Sequence, residues 1–453
     1  MLMKKLKKAN YVSHRAGEEA FNFEIEGGRK LHGSITINSS KNGAVVLLCA
    51  SLLNRGETRL RNMPKIEEVY RIIEVLESID VVVQWHGHDV VIKPPKKLTL
   101  SKLNKESAER TRSIIMFLGP LVHHLEHFSL PQSGGCKLGD RTVRPHFYAL
   151  EPLGISIKTT EHTYEVRHKK LHASEIIMYE SGDTATENAI MAASLTSGVT
   201  TIKYASANYQ VQELCFFLEK AGVTIDGIGT TTLHVHGIKE LNKALEYYVS
   251  EDPTDAMFFL AVAIVTKSSI TLKRCPIDFL ELELLKLKKM GFRYNISKPY
   301  KSKNERTLLV DLTTKPSKLR ASPEKIYGRP YPGLNIDNLP FFAVIATQAK
   351  GTTLIHDWAY EKRALYYTEL DKLGANTTLA DPHRIFITGI TEFTSADLVC
   401  PPALRPATLL LVGMLAAKGH STLRNIYSIN RGYEDLSSKL SALGAKIRKT
   451  TEK

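Results

Sequence analysis

The chain is poor in cysteine and tryptophan and has no long apolar run. Its 453 residues include 5 cysteines and 2 tryptophans, and no two cysteines form a Cys-x-x-Cys zinc or redox motif. An odd number of scattered cysteines argues against a disulfide framework and fits a reducing cytoplasm. The longest apolar stretch, 408–417, ends at Lys418, well short of the roughly 20 residues that span a bilayer. No apolar segment follows the basic first ten residues, so we expect neither a signal peptide nor a membrane partner.

Positive charge is in excess. Lys and Arg number 61 against 47 Asp and Glu, which gives a net charge of +14. A nucleic-acid-binding protein would concentrate these cations on one face or element, whereas an enzyme for anionic substrates needs only a few of them in a cleft. Net charge alone does not distinguish these two interpretations. With 43% apolar residues, the chain has enough apolar surface to fold into globular domains.

A repeated pattern organises the chain. Five times an amphipathic helix is followed by a glycine and then by alternating strand residues, and the glycines are Gly154, Gly222, Gly291, Gly374 and Gly444. Each glycine is predicted to end its helix in the left-handed conformation before a strand begins. A degenerate copy lies around Ile79. The length exceeds what one core usually supports, so the pattern predicts two α/β domains of three βαβ-like units each.

An apolar helix precedes each amphipathic helix, and these six helices begin near residues 41, 112, 184, 255, 337 and 405. Because they are apolar nearly all round, we expect them to be buried. Charged residues nevertheless stand at several of their starts, namely Lys41, Arg112, Asp337 and Arg405. A cation at a helix N-terminus opposes the helix dipole, unless an anion lies between the two. Equivalent positions in several repeats therefore predict one shared anion-binding site.

The predicted domain boundaries follow from the repeats. We expect residues 41–249 to form one domain, and residues 1–40 with 250–453 to form the other. Strands at 21–26 and 34–38 would complete the second domain, so the chain would cross between the domains twice. The longest spacing between repeat glycines contains a lysine-rich insertion at 298–306, which we interpret as a solvated loop.

One cysteine differs from the others in its surroundings. Cys136 follows Gly134 and Gly135 on a polar loop and precedes Lys137 and Arg141. Cations next to a thiol lower its pKa and make it a usable acid or nucleophile. By contrast, Cys49 and Cys215 lie among apolar helix residues and are interpreted as inert and buried.

Two further patterns are interpreted as structural. His123 and His127 are four residues apart, a spacing that can present two metal ligands on one helix face. No carboxylate or cysteine partner is evident in the sequence, so we interpret this segment as a solvated helix end. Thr184 and Glu187 match a capping box at the start of the third apolar helix.

The motifs SSKNGA, RSIIMFLGPL, SGGCKLGDR, ATENAIMAA, YPGLNID, YEKR and INRGYEDL occur in this order along the chain. In content and order they resemble the enolpyruvyl transferase family, and within it the UDP-N-acetylglucosamine 1-carboxyvinyltransferases. The resemblance implies an inside-out α/β barrel of two domains, with three βαβαββ units in each. It also implies transfer of enolpyruvate from phosphoenolpyruvate to the 3-hydroxyl of UDP-N-acetylglucosamine, which is a step of peptidoglycan precursor synthesis. Neither a metal nor an organic cofactor is implied.

The resemblance also implies roles for individual residues. Cys136 is similar to the loop cysteine that acts on phosphoenolpyruvate as an acid or forms an adduct with it. Asp337 resembles the base that takes the sugar hydroxyl proton, Lys41 resembles the lysine that contacts phosphoenolpyruvate, and Asn42 resembles a sugar-nucleotide contact. Further cations that match those gripping phosphate and carboxylate are Lys65, Arg112, Arg141, Arg363, Arg405 and Arg431, with Arg141 also touching the nucleotide sugar and Arg363 on a domain-closing segment.

Three positions depart from the family pattern. Arg144 stands where the family has an aspartate near the uracil, Glu180 stands where it has a lysine near the diphosphate, and Ala403 replaces an aspartate two residues before Arg405. These departures keep two alternatives open. One is enolpyruvyl transfer to a different hydroxyl acceptor, and the other is a non-catalytic paralogue that binds sugar nucleotides or nucleic acid. With the cations assigned to one cleft, we expect small-molecule substrates and no nucleic-acid partner.

Overall fold

The computed structural model describes residues 21–132 and 142–451, which form a mixed α/β structure. Within these residues, no helix is both long and apolar enough to cross a membrane. Cys136 and Arg141 lie outside the described residues.

The helices of the described residues vary from one turn to more than three turns. In chain order the α-helices are α1 (Lys41–Ala50), α2 (Glu67–Ser78), α3 (Lys105–Arg110), α4 (Leu118–Leu121), α5 (Arg144–Leu150), α6 (Asp183–Ser194), α7 (Tyr209–Ala221), α8 (Pro253–Val265), α9 (Glu281–Lys289), α10 (Leu339–Ala346), α11 (Leu404–Ala416), α12 (Tyr427–Asn430) and α13 (Leu436–Ala442). Segments of 3₁₀-helix lie at Ser51–Leu53, Leu100–Lys102, Arg112–Phe117, Glu151–Leu153, Ile277–Phe279 and Ala364–Leu373.

The strands are short. They are β1 (Phe21–Gly27), β2 (Ser34–Thr36), β3 (Thr58–Arg61), β4 (Val82–His86), β5 (Asp89–Lys93), β6 (His127–Pro131), β7 (Ser156–Thr159), β8 (Thr163–Arg167), β9 (Glu175–Ile177), β10 (Gly198–Lys203), β11 (Thr224–Asp226), β12 (Thr232–Gly237), β13 (Leu245–Tyr248), β14 (Thr271–Pro276), β15 (Arg293–Ile296), β16 (Tyr300–Lys301), β17 (Leu308–Lys315), β18 (Leu319–Arg320), β19 (Ile326–Tyr327), β20 (Ala349–His356), β21 (Asn376–Asp381), β22 (Arg384–Gly389), β23 (Asp397–Val399), β24 (Gly419–Arg424) and β25 (Lys446–Thr451).

These strands form small sheets. Each sheet is either wholly antiparallel or contains both parallel and antiparallel pairs. One set has the strand orders β13-β3-β5-β4, β6-β8-β7 and β11-β12-β10-β9. The other set has the orders β15-β17-β14-β2, β18-β20-β22-β21 and β23-β24-β1-β25. Strands β1 and β2, at the start of the described residues, belong to the second set. β1 pairs antiparallel with β24 and β25, and β2 pairs parallel with β14.

Two hydrophobic cores lie behind these sheets. The first core runs from Ala44 to Val249. The second core combines residues from Phe23 to Ile37 with residues from Ala256 to Ile447. At the centre of the second core, α8, α10 and α11 contact one another. Every residue of α8 and α10 is buried, as the all-round apolar pattern predicts.

Helix ends follow the sequence prediction closely. Gly154, Gly222, Gly291, Gly374 and Gly444 all have φ between 87° and 112°, the left-handed region in which a side chain is disfavoured. The predicted helix at Arg112 differs, because Arg112–Phe117 is 3₁₀-helix and only Leu118–Leu121 is α-helix. Pro120 has no amide hydrogen to donate, so a continuous α-helical ladder through this segment would lack one bond.

The chain passes between the cores at two adjacent segments. The Ser40 amide donates to the Ser250 carbonyl at 2.7 Å, and the Asp252 amide donates to the Asn38 carbonyl at 2.8 Å. Ser39 and Glu251 form an antiparallel bridge between these hydrogen bonds. The two passages therefore support each other instead of forming independent linkers.

The lysine-rich insertion at 298–306 is mostly exposed, as expected, but it contains the short strand β16 and contacts the first core at two of its cations. Ser302 is 3% exposed, and Arg306 extends to Glu219 of α7, with 2.6 Å between Nη2 and Oε2. The Arg306 guanidinium also covers the Phe216 ring at 5.2 Å, and Lys303 covers Tyr248 at 5.3 Å. The insertion thus packs against the first core, where its cations meet a carboxylate and aromatic faces.

The histidine pair and the predicted capping box also have different environments from those expected. His123 is partly buried and its Nε2 faces the Met191 carbonyl at 3.2 Å, and burial lowers the pKa of His123 to about 4. His127 begins β6 instead of sharing a helix face with His123. Gly182 occupies the N-cap of α6 without a side-chain bond, so the capping box does not form, and Glu187 is completely buried.

Candidate active site

A cavity of about 740 Å³ opens between the two cores. Lys41, Asn42 and Arg112 line it from the first core, and Asp337 and Arg329 line it from the second. Lys41 begins α1, Arg112 begins the Arg112–Phe117 segment, and Asp337 lies two residues before α10. Helix starts from both cores therefore converge on one cavity, as the repeat positions of these charged residues predicted.

Asp337 lies between two guanidinium groups. Its Oδ2 is 3.5 Å from Arg405 Nη2, and its Oδ1 is 3.9 Å from Arg363 Nη1. The side chain remains 29% exposed, so it can still reach a molecule in the cavity. Two neighbouring cations stabilise the ionised carboxylate, which is the form that can accept a proton.

Arg405 lies in the first turn of α11 and is 7% exposed. Its Nη1 donates to the Tyr433 hydroxyl at 2.8 Å. Burial opposes the charge, but Tyr433 and Asp337 more than offset this and raise the pKa of Arg405. Arg405 is therefore a permanently charged cation held next to Asp337.

Arg363 is 1% exposed and has a dedicated carboxylate partner. Its Nε and Nη2 donate to the two oxygens of Asp357 at 2.5 and 2.9 Å, and Nη2 also donates to the Ile336 carbonyl at 2.8 Å. Asp357 in turn accepts from the Tyr367 hydroxyl at 2.6 Å. Arg363 thereby holds the backbone next to Asp337, and it does not line the cavity.

Lys41 lies in an unusual electrostatic environment. Burial lowers the pKa of the Lys41 ammonium, Glu68 and Asp337 oppose this effect, and Arg405 and Arg431 add to it. Glu68 is 5% exposed and accepts from Arg431 Nη2 at 2.9 Å. Although burial raises the pKa of Glu68, Arg431 and Lys41 hold it at about 2. This Arg431–Glu68 pair joins residues of the two cores and was not expected from the sequence.

Asn42 is held by neighbours from α7. Its Nδ2 donates to the Tyr209 hydroxyl at 3.0 Å and to Gln210 Oε1 at 2.8 Å, and Gln210 Nε2 donates to Glu187 at 3.0 Å. Both amide hydrogens of Asn42 are therefore used within the protein, which leaves its carbonyl oxygen available to a molecule in the cavity that Asn42 lines. No sequence pattern signalled Tyr209 or Gln210, since only the fold brings α7 to the start of α1.

The remaining predicted residues lie in different places. Arg112 lines the cavity and its Nη2 is 3.4 Å from the Thr142 carbonyl. Lys65 is exposed and outside the cavity lining, with its backbone amide donating to Glu434 at 3.1 Å. Cys136 and Arg141 fall in 133–141, outside the described part of the chain.

Cys49 and Cys215 are fully buried, and burial raises the pKa of both thiols, as the sequence suggested.

Of the three departures from the family pattern, only Glu180 lines the cavity. Asp183 lines it as well, and accepts from Ser206 Oγ at 2.5 Å and from Asn208 Nδ2 at 2.9 Å. Arg144 is exposed and lies outside the lining. Ala403 is the N-cap of α11 and offers no side-chain hydrogen bond. Within the described residues, no group of three histidine, cysteine or acidic side chains is arranged to hold a metal ion.

Comparison with known proteins agrees with this geometry. The family model of EPSP synthase (3-phosphoshikimate 1-carboxyvinyltransferase) matches residues 25–440. The UDP-N-acetylglucosamine 1-carboxyvinyltransferase of Treponema denticola is 34% identical over 93% of this chain and 98% of its own length. That of Campylobacter jejuni is 32% identical over 95% of this chain and 99% of its own length.

Solved structures share the fold at lower sequence identity. The enolpyruvyl transferase NikO from Streptomyces tendae superposes with a TM-score of 0.82 at 22% identity, covering 96% of this chain and all of NikO. EPSP synthase from Acinetobacter baumannii gives a TM-score of 0.75 at 17% identity over 95% of this chain and all of that structure. From the family match and the relatives above 30% identity, the chain belongs to the EPSP synthase family of carboxyvinyl (enolpyruvyl) transferases.

Proposed function

We propose that the protein transfers the enolpyruvyl group of phosphoenolpyruvate to the 3-hydroxyl of UDP-N-acetylglucosamine and releases phosphate. The observation that carries this proposal is the Asp337 carboxylate, which lies at 3.5 Å from Arg405 and 3.9 Å from Arg363 in a cavity also lined by Lys41. A base next to several cations suits removal of a hydroxyl proton beside an anionic substrate. Relatives of at least 30% identity carry this activity in their names.

In the proposed reaction, an acid adds a proton to C3 of phosphoenolpyruvate while the acceptor hydroxyl attacks C2. Asp337 takes the hydroxyl proton, and the new C–O bond gives a tetrahedral intermediate. Loss of a C3 proton and of the phosphate group, by cleavage of the C2–O bond, then restores the double bond. From the sequence resemblance, we assign the acid or adduct-forming role to Cys136.

The cations divide the binding task in this proposal. Lys41 and Arg405 lie next to Asp337 and suit the carboxylate and phosphate of phosphoenolpyruvate, and Arg112 lines the same cavity. Arg141 and Arg431 complete the set by resemblance, and Lys65 is retained from the sequence alone. Arg363 contributes by holding the Asp337 backbone through its bond to the Ile336 carbonyl, and Asn42 presents a carbonyl oxygen to the acceptor.

We also propose that residues 41–249 form one domain and that residues 1–40 with 250–453 form the other, each with three βαβαββ units of an inside-out α/β barrel. The two separate cores support this division, and so does the pairing of β1 and β2 with strands from the second half. We further propose that the reaction takes place in the cytoplasm, which agrees with the scattered cysteines of the chain.

The test is phosphate release from phosphoenolpyruvate in the presence of UDP-N-acetylglucosamine. We expect wild-type turnover, and about a hundredfold or greater loss of kcat in Asp337→Ala and in Cys136→Ser, because each removes a proton-transferring group. Asp381→Asn and Cys400→Ser are matched controls at positions away from the cavity lining, and both should keep wild-type activity. Full activity in either active-site variant would refute its assigned role.

A second candidate is transfer to a different hydroxyl acceptor. Glu180 and Asp183 line the cavity, and carboxylates repel the diphosphate of a sugar nucleotide. Under this alternative, UDP-N-acetylglucosamine gives no turnover, while phosphoenolpyruvate still forms an adduct on Cys136 that mass spectrometry detects. Turnover with UDP-N-acetylglucosamine at ordinary micromolar to millimolar KM would exclude this alternative.

A further inference from the structure

Trp358 is an exposed indole in the wall of the cavity. It lines the cavity and is 47% exposed, although a tryptophan side chain is usually well covered in a folded protein. Of the other aromatic side chains in the lining, Phe279 packs against Tyr209 and Tyr331, with ring centroids at 5.9 and 5.5 Å. Among the described residues, no ring or cation stacks on Trp358. Its apolar face is therefore open toward the cavity.

The indole is nevertheless held in one place. Nε1 donates to the Gly328 carbonyl at 2.7 Å, and Gly328 directly follows β19. The preceding residue, Asp357, is 1% exposed and is anchored by Arg363 and Tyr367, while its amide donates to the His383 carbonyl at 2.7 Å. Trp358 thus extends from a rigid segment, so covering its face costs little further conformational entropy.

The position of this segment connects Trp358 to the acceptor. Gly328 begins the loop that leads to Asp337, and Arg329, Tyr331 and Asp337 all line the same cavity as Trp358. If Asp337 takes the acceptor hydroxyl proton, the acceptor occupies the part of the cavity that this loop borders. Phosphoenolpyruvate, in contrast, carries charged groups that suit Lys41 and Arg405, and it has no extended flat face to place against an indole.

We propose that Trp358 is a specificity-determining residue whose indole face stacks on a flat face of the acceptor substrate. This inference rests on the proposed function. The chemistry that the indole recognises is a planar or apolar ring face, which a sugar nucleotide offers in its base and in its sugar ring. Because stacking depends on a flat face and not on charge, it also provides affinity in a cavity where the Glu180 carboxylate disfavours phosphate groups.

Tryptophan fluorescence can test this proposal, because the chain contains 2 tryptophans, Trp358 and Trp85. Trp85 lies on β4 in the first core, with its ring 5.8 Å from that of Tyr70, and it does not line the cavity. In a Trp85→Phe background, the tryptophan emission therefore reports on Trp358 alone. Wild-type phosphate release is measured first, so failure of the proposed function is seen independently of the fluorescence result.

The experiment measures acrylamide quenching of Trp358 in the Trp85→Phe protein with and without saturating ligand. We expect UDP-N-acetylglucosamine to lower the quenching constant at least twofold. Protection by UMP and UDP identifies the base as the stacked face, whereas protection by N-acetylglucosamine 1-phosphate alone identifies the sugar ring. Turnover with UDP-N-acetylglucosamine but no change in quenching with any of these ligands would overturn the proposal.

Kinetics of Trp358 variants provide a second readout. We expect Trp358→Ala to raise the KM for the acceptor about tenfold and to leave the KM for phosphoenolpyruvate within twofold, while Trp358→Phe retains most of the affinity. A merely structural role would change both KM values together. Phe386→Ala, which removes another exposed aromatic side chain, on β22 and outside the cavity lining, is the matched control and should leave both KM values unchanged. Equal KM values for Trp358→Ala and wild type would contradict stacking.

Discussion

At the scale of single residues, the buried carboxylates show how a charged partner decides ionisation. Glu187 and Glu213 are at most 2% exposed, and burial raises the pKa of each to about 8. In both, the Oε2 atom has no hydrogen-bond partner among the described residues. Glu68 is also buried, but Arg431 and Lys41 lower its pKa to about 2. The same side chain is thus neutral or charged near pH 7 according to its neighbours.

This difference predicts a pH-dependent effect of Glu213→Gln. The carboxyl group titrates near 4.5 in the unfolded chain and near 8 in the folded protein, so the unfolded state binds fewer protons between these values. Wild-type stability therefore falls as the pH rises from 4.5 to 8. Glutamine cannot ionise, and relative to wild type the variant should gain on the order of 3 kcal/mol in free energy of unfolding between pH 5 and pH 8.

Denaturant unfolding at pH 5 and pH 8 measures this gain. Glu109→Gln, at an exposed position of α3, is the control and should show the same difference from wild type at both pH values. A Glu213→Gln variant whose stability relative to wild type is equal at pH 5 and pH 8 would show that Glu213 is ionised in the folded protein.

At the scale of elements, the helix starts around the cavity differ in how they are capped. Ser40 Oγ accepts from the Gly43 amide at 2.8 Å at the start of α1, and Asp252 accepts from the Thr254 amide at 2.7 Å at the start of α8. Ala403 is the N-cap of α11 and has extended backbone, with φ −117° and ψ 136°, but no acceptor. The backbone geometry of a cap is therefore present without the side chain that would use it.

Ala403→Ser should accordingly stabilise the protein by about 1 kcal/mol, because the new hydroxyl can accept from the Arg405 amide. Ala403→Val is the apolar control, since it adds two methyl groups but no hydrogen-bond acceptor. Chemical denaturation of the three proteins makes the comparison. The expectation fails if the serine variant is no more stable than wild type, or if valine gives the same gain as serine.

At the scale of the whole molecule, charged side chains make contacts between residues of the two cores. Arg431 meets Glu68 at 2.9 Å next to the site. Arg306 of the insertion contributes a second contact through Glu219 and Phe216. Arg306, which the sequence suggested was merely solvated, therefore joins one part of the structure to another.

The Arg306–Glu219 pair predicts a charge-reversal result. Arg306→Glu places two carboxylates together and should lower the free energy of unfolding by about 1–2 kcal/mol, whereas the double variant Arg306→Glu with Glu219→Arg should recover part of that loss. Small-angle scattering should show a larger radius of gyration in the single variant and a value near wild type in the double variant. Additive losses, with no recovery in the double variant, would show that this pair does not couple the two cores.

Short-range patterns in the sequence determined several structural features of this protein. The five repeat glycines, the buried helices and the charged helix starts at Lys41, Asp337 and Arg405 were all readable in the sequence, because they depend on helix period, on the left-handed backbone and on the cost of burying polar groups. The motif order also identified the family. These features require only neighbours within a few residues along the chain.

Tertiary structure alone decided which side chains meet across long sequence separations. Glu68 engages Arg431 from the other core, and Gln210 orients Asn42. It also placed Trp358 in the cavity wall and packed the insertion at 298–306 against α7. None of these contacts has a sequence period, because each depends on how elements that are far apart in the chain pack together. The sequence therefore identified the chemistry of the site, and the packing of the two cores determined which residues carry it.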